Sequence, residues 1–416
     1  MEMKKEIKII TKNWGRINPN QIEEYIAAGG YRALRKFVAE MSPQSVLEEI
    51  KTSGLCGRGG AGFPTGRKLE CVASEKSKEK YFICNLDESE PGTYKDRSIV
   101  DNDPHMLLEG IIIGALAVGA RKAFIYINGN YQKEIEILER AVEQAQEKDF
   151  IGENILGSKY GLEMELFAGA GAYICGEETA LINSIEGNRG EPKARPPYPT
   201  QCGLFGQPTA INNAETITNI PWIIENGGKA YAKIGSKKSP GTKLFIVNGA
   251  VENPDVFEAP LGIKLVDLIG KYAGGIQAGK DFWFAQIGGS SGRLAMEKDL
   301  KLKLEYDCEA KIPLGSGAVL VVDKTADIHE LLLSWTGFFR RESCGKCVPC
   351  REGTFRLWEI AKRLQDGEVS ERDVAAIQDI LWTLNNTTFC PLGKFAATAF
   401  SDALDNFRDE IYKISK

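Results

Sequence analysis

Residues 107–127, LLEGIIIGALAVGARKAFIYI, decide the fold. The apolar run Ile111–Ala120 is about half the length that a membrane span requires and has Glu109 beside it, so it reads as a buried helix packed closely through Gly114, Ala115, Ala117 and Gly119. Directly after it, Ala123–Ile127 reads as a short buried strand. The same alternation extends in both directions. Strand-like runs Tyr81–Cys84 and Glu163–Phe167 flank helical patterns at Leu107–Val118 and Lys133–Gln146, which favours an α/β layer with a largely parallel sheet.

Upstream, apolar residues recur at helical spacing from Gln21 to about Lys51. Downstream, the Gly- and Lys-rich segment 227–243 reads as a linker. Beyond it a hairpin (Leu244–Val251 and Val256–Ala259), a helix (Leu265–Tyr272) and strands at Phe282–Ile287 and Ala318–Val322 describe a small β-grasp, ubiquitin-like unit. After Asp327 the pattern is entirely helical, and four helices of bundle length fit, with Thr354–Leu364 as the second. The expected units are therefore 1–240, 241–327 and 328–416.

The 416 residues carry 52 Lys and Arg against 57 Asp and Glu, a net charge of -5, with 43% hydrophobic residues. This is the composition of a folded globular chain without a basic field for nucleic acid. Ten cysteines stand against two histidines, His105 and His329, which excludes chemistry needing several imidazoles. No signal peptide is read at the start, so a cytoplasmic chain with thiols or metal ligands is expected, not a disulfide framework.

Four cysteines have ligand spacing: Cys344, Cys347 and Cys350 in ESCGKCVPCREG, and Cys390 in FCPLG. A C-x2-C-x2-C loop can wrap three corners of a 4Fe-4S cubane while a distant segment supplies the fourth. A four-thiolate zinc site usually shows two separate C-x2-C knuckles and is the alternative. Lys346, Arg351, Arg340 and Arg341 would offset thiolate charge, or some of them simply face solvent. The cysteines at 56, 71, 84, 175, 202 and 308 lack ligand spacing and read as packing or pocket lining.

GLCGRGGAGFPTG, 54–66, matches G-x-G-x-x-G, but no strand precedes it, so the match is not a dinucleotide fingerprint. Its five glycines in nine residues still bring bare amides close to a flat or anionic ligand, with Arg58, Arg67 and Lys68 supplying charge. A flexible linker is the alternative. Three polar clusters join it: Asn85–Gly92 after the first strand, Gly169–Thr179, and Asn212–Thr216. First-turn acids or helix caps would explain the latter two as well. Together the clusters describe a pocket with glycines for phosphate, amides for a heteroaromatic ring and carboxylates for ribose.

In family order over almost the whole chain, GLCGRGGAGFPTG, NLDESEPGTYKDR, GAGAYICGEETALINSIEG, the PP of KARPPYP, NNAETITN, ESCGKCVPCREG and FCPLG resemble the NADH-binding, FMN-containing flavoprotein subunit of respiratory complex I. Its relatives in soluble NAD-linked hydrogenases and formate dehydrogenases, including electron-bifurcating ones, share the pattern. The resemblance implies a Rossmann-like FMN and NADH domain, a ubiquitin-like domain and a helical bundle with one 4Fe-4S cluster on the four cysteines above. It implies FMN contacts at Gly57, Gly59, Gly60, Lys68, Asn85, Asp87, Glu88, Tyr173, Gly176, Glu177, Glu178, Asn212, Asn213 and Thr216.

For NADH it implies Phe63 and Tyr198 near adenine, Glu90, Glu178 and Arg195 near the polar parts, with Glu90 in the nicotinamide pocket where hydride transfer occurs. Glu178 is expected to repel a 2′-phosphate. Where many members read K-W-S-F, this chain reads Lys68-Leu69-Glu70-Cys71, and Arg195 stands where Lys is common. The implied activity is hydride transfer from NADH to FMN, then single electrons through the cluster to a separate 2Fe-2S thioredoxin-like subunit and a larger iron-sulfur subunit. The complex would be cytoplasmic and peripheral to the membrane, with no direct membrane insertion by this chain. A non-enzymatic scaffold stapled by a metal is the reading from a different class.

Overall fold

The structure, a computed structural model, describes residues 7–306 and 311–412. Cys308 lies outside them. Strands β1 (Tyr81–Leu86), β2 (Lys122–Asn128), β3 (Glu163–Gly169) and β4 (Thr209–Asn213) form one parallel sheet in the order β3-β2-β1-β4. The helix Pro104–Val118 is buried at every position, which explains why its sequence is apolar on all sides. Gly110 and Gly114 serve close packing: a Cβ at Gly110 would lie 2.4 Å from the Ile217 carbonyl and one at Gly114 would lie 2.7 Å from the Phe82 ring.

β4 escapes the sequence reading because only Ala210 and Ile211 are apolar in it. It nevertheless decides the topology. The chain runs outward from β1 through β2 to β3 and then returns to the other side of β1, so the switch point lies between the carboxyl ends of β1 and β4. Open parallel sheets bind ligands in such a crevice.

The second unit is a mixed five-stranded sheet, order β6-β5-β11-β8-β9. Its members are β5 (Thr242–Gly249), β6 (Asp255–Pro260), β8 (Phe282–Ile287), β9 (Arg293–Met296) and β11 (Ala318–Asp323), while β7 (Ile263–Lys264) pairs with β10 (Lys303–Leu304). β11 runs parallel to β5 and antiparallel to β8. The segment expected to be a linker is a packed connection: it contains the helix Gly228–Tyr231, and Tyr231, Ser239 and Lys243 are fully buried. The reason is the Arg58 guanidinium, which donates to Tyr231 Oη (3.1 Å) and to the Pro240 carbonyl (2.8 Å).

Four helices follow, Ile328–Glu342, Val348–Gln365, Glu371–Thr387 and Pro391–Ile411, each packed on the next and the last on the first. The second starts six residues earlier than expected because Pro349 sits in its first turn, where proline costs no hydrogen bond. One apolar cluster joins all three parts, from Ile83 and Leu181 through Phe284 and Val322 to Phe338 and Leu381. No helix among the described residues is long and apolar enough to cross a membrane.

Candidate functional site

All three polar clusters read from the sequence follow carboxyl ends of the parallel strands. β1 runs into Asp87–Glu90, β3 into Tyr173–Glu178 and β4 into Asn212–Thr216, with Cys84 opposite Asn212 and Asn85 opposite Asn213. Asn85 Nδ2 donates to the Gly176 carbonyl (3.0 Å), tying two of the clusters together. The Gly-rich loop joins helix Pro43–Ser53 to helix Thr65–Ser74 and is closed on itself by Gly57 N–H to Phe63 O (2.8 Å) and Thr65 N–H to Leu55 O (2.9 Å). It is not a flexible linker. Thr216 Oγ1 accepts from the Arg58 N–H (2.8 Å), which presses the loop against β4, and a Cβ at Gly59 would stand 3.1 Å from Asn213 Cβ.

Several predicted side chains are spent on the protein itself. Glu88 caps helix Lys95–Asn102 through the Asp96 and Arg97 N–H groups (2.9 and 3.0 Å). Glu177 caps helix Glu178–Ile185 by accepting from Thr179 and Ala180 N–H (2.9 and 3.0 Å). Asn213 accepts from Lys95 Nζ (3.2 Å) and Glu215 N–H (3.1 Å) and donates to Asp96 Oδ2 (2.7 Å). It thereby joins a buried network of Glu88, Lys95, Asp96, Glu215 and Lys243 in which Lys243 comes from β5. Arg58, expected to face phosphate, is instead fully buried and anchors the loop.

Other predicted groups remain open to a ligand. Asp87 Oδ2 and Asn212 Nδ2 are buried with no partner, one an acceptor and one a donor. Buried polar atoms are seldom left so without a role. Burial pushes the Asp87 carboxyl up to about 7, with the Ser89 hydroxyl bond (2.6 Å) partly opposing it and the Glu342 charge adding to it. The bare glycine cradle with this acceptor and donor fits a phosphorylated heteroaromatic ring such as FMN.

At the mouth, Lys68 is ion-paired to Glu178 and donates to the Ile211 carbonyl (2.9 Å), while Arg195 lies 3.3 Å from Glu177 and 3.8 Å from Glu178. Phe63 and Tyr198 are 46% and 53% exposed, as open stacking surfaces would be. Glu90 is placed apart from the rest, against the connection between β8 and β9, where Ser291 donates to it through N–H (3.2 Å) and Oγ (3.1 Å). Gly60 abuts a second loop of that sheet, its Cβ position 3.7 Å from Gly315. The sequence reading missed this wall.

Cys344, Cys347, Cys350 and Cys390 line one pocket with Ile174, Pro192, Lys346 and Phe389. Cys347 and Cys390 are the N-cap residues of the helices Val348–Gln365 and Pro391–Ile411, so two helix dipoles point their positive ends at the sulfurs. Burial first, and then the neighbouring cysteines, push the Cys350 thiol up to about 11, which marks four thiols that need cations in order to ionise together. Among the described residues no three His, Cys, Asp or Glu groups converge on a single metal ion. A cubane asks each cysteine to reach its own iron, which fits this donor set.

Lys346 pairs with Glu191 (3.3 Å) and Arg189 donates to the Cys344 carbonyl (2.5 Å), so the first unit grips the cysteine loop; Arg340 stacks on Trp358 (3.9 Å) instead. The nine cysteines among the described residues are all free. Cys56, Cys84 and Cys175 are buried, whereas Cys71 and Cys202 are exposed and do not pack as expected. The two sites share one turn, Tyr173–Gly176. Tyr173 faces Glu90 and Ser291, its N–H donates to Glu342 (2.9 Å), and Ile174 lines the cysteine pocket.

A crevice for a phosphorylated ring beside a four-cysteine pocket defines an oxidoreductase of the flavin and iron-sulfur class. Residues 50–222 match the Nuo51 FMN-binding domain family and residues 330–413 the NADH-ubiquinone oxidoreductase-F iron-sulfur binding region. The chain is 44% identical over 400 residues to the F subunit of the NADH-quinone oxidoreductase of Aquifex aeolicus (strain VF5), covering 95% of this chain and 92% of that protein. It is 41% identical to the HndC subunit of the NADP-reducing hydrogenase of Solidesulfovibrio fructosivorans, covering 98% and 83%.

Among solved structures, the NAD+-reducing [NiFe]-hydrogenase in the H2-reduced state superposes with a TM-score of 0.86 at 33% identity, over 93% of this chain and 65% of that one. The chain thus spans about two thirds of that hydrogenase chain. It belongs to the family of FMN- and 4Fe-4S-containing F-type subunits of NADH-quinone oxidoreductases, which also includes diaphorase subunits of NAD-linked hydrogenases.

Proposed function

We propose that this chain is the NADH-oxidising subunit of a hetero-oligomeric complex, passing electrons from NADH to a separate 2Fe-2S subunit and a larger iron-sulfur subunit. The observation that carries this reading is the turn Tyr173–Gly176, which borders both the crevice and the cysteine pocket. Bound in the crevice, FMN supplies the conversion of a two-electron hydride into single electrons.

The chain's own residues bind and orient. Gly57, Gly59, Gly60 and Lys68 receive the phosphate end, with Asn85, Asp87 and Asn212 along the ring and Glu88, Asn213 and Thr216 holding the walls. Tyr173, Gly176 and Glu177 close the far side. Glu90 faces the nicotinamide, Phe63 and Tyr198 flank the adenine, and Glu178 with Arg195 meets the adenosine ribose. Cys344, Cys347, Cys350 and Cys390 hold the cluster. In this reading residues 1–240 form the nucleotide domain, 241–327 a β-grasp domain and 328–416 a four-helix bundle.

The TM-score of 0.86 to the hydrogenase supports a second reading, in which the same module serves a soluble hydrogenase or formate dehydrogenase, with or without electron bifurcation. Purified protein should carry about one FMN and about four irons per chain and reduce ferricyanide with NADH. Protein with zinc, no flavin absorbance and no such activity would leave only a metal-stapled scaffold.

A further inference from the structure

Glu90 and Ser291 lie 201 positions apart in the chain and on different units, yet the Glu90 carboxylate seats on the β8–β9 connection, Gly288-Gly289-Ser290-Ser291-Gly292. Oε1 accepts from both the N–H (3.2 Å) and the hydroxyl (3.1 Å) of Ser291. The approach is so close that a Cβ on Gly289, whose φ is +84°, would fall 2.3 Å from the carboxyl carbon.

The loop is held at both ends. Gln286 Nε2 donates to the Ser290 carbonyl (3.3 Å) on one side. On the other, Arg293 grips Asp402 of the last helix, whose Oδ2 also accepts from the Leu294 N–H (2.9 Å). A donor pair fixed in this way stabilises the charged, aligned form of a buried carboxylate, because burial alone would favour the neutral one. Burial does raise the Glu90 carboxyl, and the two Ser291 bonds pull against it. The titratable group facing it from the neighbouring turn is Tyr173, which burial keeps as a neutral phenol.

We infer that Ser291 is a positioning residue for the nucleotide pocket: the second sheet reaches over the crevice to hold the Glu90 carboxylate ionised and in place for the carboxamide end of a nicotinamide nucleotide. The inference rests on the proposed NADH site and names a residue for it that lies outside the nucleotide-binding domain. Ser316, whose hydroxyl donates to the Gly288 carbonyl (3.3 Å), braces the same loop from β11's side.

The test uses the flavin- and cluster-loaded protein, with NAD+ binding followed by equilibrium dialysis and NADH oxidation by ferricyanide, both from pH 5.5 to 8.5. Ser291→Ala is expected to weaken NAD+ binding and raise KM for NADH about fivefold at pH 7, with kcat within about twofold. The acid limb of both profiles should move up by about one pH unit, and Ser291→Thr should restore it. In a Glu90→Gln background the Ser291→Ala change should add nothing to the pH dependence.

Unchanged profiles in Ser291→Ala overturn the inference, as does a Ser291→Ala shift of equal size with and without the Glu90→Gln substitution. So does loss of flavin or iron in both the Ala and the Thr variants, which would make Ser291 merely structural. If the unsubstituted protein itself neither binds NAD+ nor oxidises NADH, it is the functional reading that fails.

Discussion

The backbone N–H of Tyr173 donates to Glu342 Oε2 at 2.9 Å, joining the loop after β3 to the last turn of the helix that delivers the cysteine segment. This bond sets the spacing of the two sites. Its acceptor is charged and half-buried, so Glu342→Ala should lower stability by about 1–2 kcal/mol in urea titration, while Glu342→Gln, which keeps an acceptor, should lose less. Equal losses in the two variants would contradict the assignment.

The cysteine pocket gives a prediction that separates the two cofactors. Cys350→Ser or Cys390→Ser removes one corner thiolate, so iron content and the cluster's spectroscopic signal should fall to background. Flavin content should persist, since the crevice draws its residues from strands β1, β3 and β4. Loss of flavin in step with iron would mean that the two sites fold as one.

Much of this organisation was legible in residue order, and the exceptions have physical causes. The strands β1, β2 and β3 appear within a residue or two of their apolar runs, because buried parallel strands need continuous apolar stretches. β4 and β9 did not, since five- and four-residue strands carry too few side chains to show a period. The cysteine ligands announce themselves by spacing. Ser291 could not, because nothing local links a serine in a Gly-Gly-Ser-Ser-Gly turn to a glutamate that only the folded chain brings beside it. The caps at Glu177 and Asn213 were visible as bland alternatives to ligand contacts, and both caps are present.

Nucleotide preference should depend on a balanced set of charges. Glu178 is flanked by Lys68 and Arg195, so its repulsion of a 2′-phosphate is already partly cancelled. Glu178→Gln should raise the ratio of kcat/KM for NADPH over NADH, and Arg195→Ala should lower it, each by about threefold once solvent screening at this half-exposed site is allowed for. A rise in the ratio with Arg195→Ala would show that the arginine does not meet the phosphate.

Two buried neighbours titrate in opposite senses. Burial pushes Asp103 up to about 7, against the bonds from Asn13 and Met106, and pushes His105 down to about 4, against its bond to Gln144. Between about pH 4 and 6.5 the folded chain holds Asp103 protonated where the unfolded chain has released the proton, so that group's contribution is lost as pH rises. His105 does the reverse: it is neutral when folded and protonated when unfolded, so its contribution grows over the same window. In His105→Gln only the Asp103 loss remains. Relative to the unsubstituted protein, that variant should lose about 2 kcal/mol between pH 5 and 6.5, and nothing further above that, by urea titration at each pH. A constant gap across those pH values would refute the pairing.

Asn212 and Asn213 are adjacent amides with opposite expected roles. Asn213 makes three hydrogen bonds inside the charged network, to Lys95 (3.2 Å), Glu215 (3.1 Å) and Asp96 (2.7 Å), so Asn213→Ala should cost about 1–3 kcal/mol of stability even after flavin is removed. Asn212 Nδ2 is buried without a partner, and deleting an unpaired donor relieves a desolvation cost. Asn212→Ala should therefore leave the flavin-free protein as stable as before while weakening FMN retention about tenfold, the equivalent of one good hydrogen bond to the ring. Urea titration of the flavin-free variants, beside FMN affinity from fluorescence on re-addition, separates the two. If Asn213→Ala proves neutral and Asn212→Ala unfolds the chain, the wall and the ligand-facing group have been exchanged.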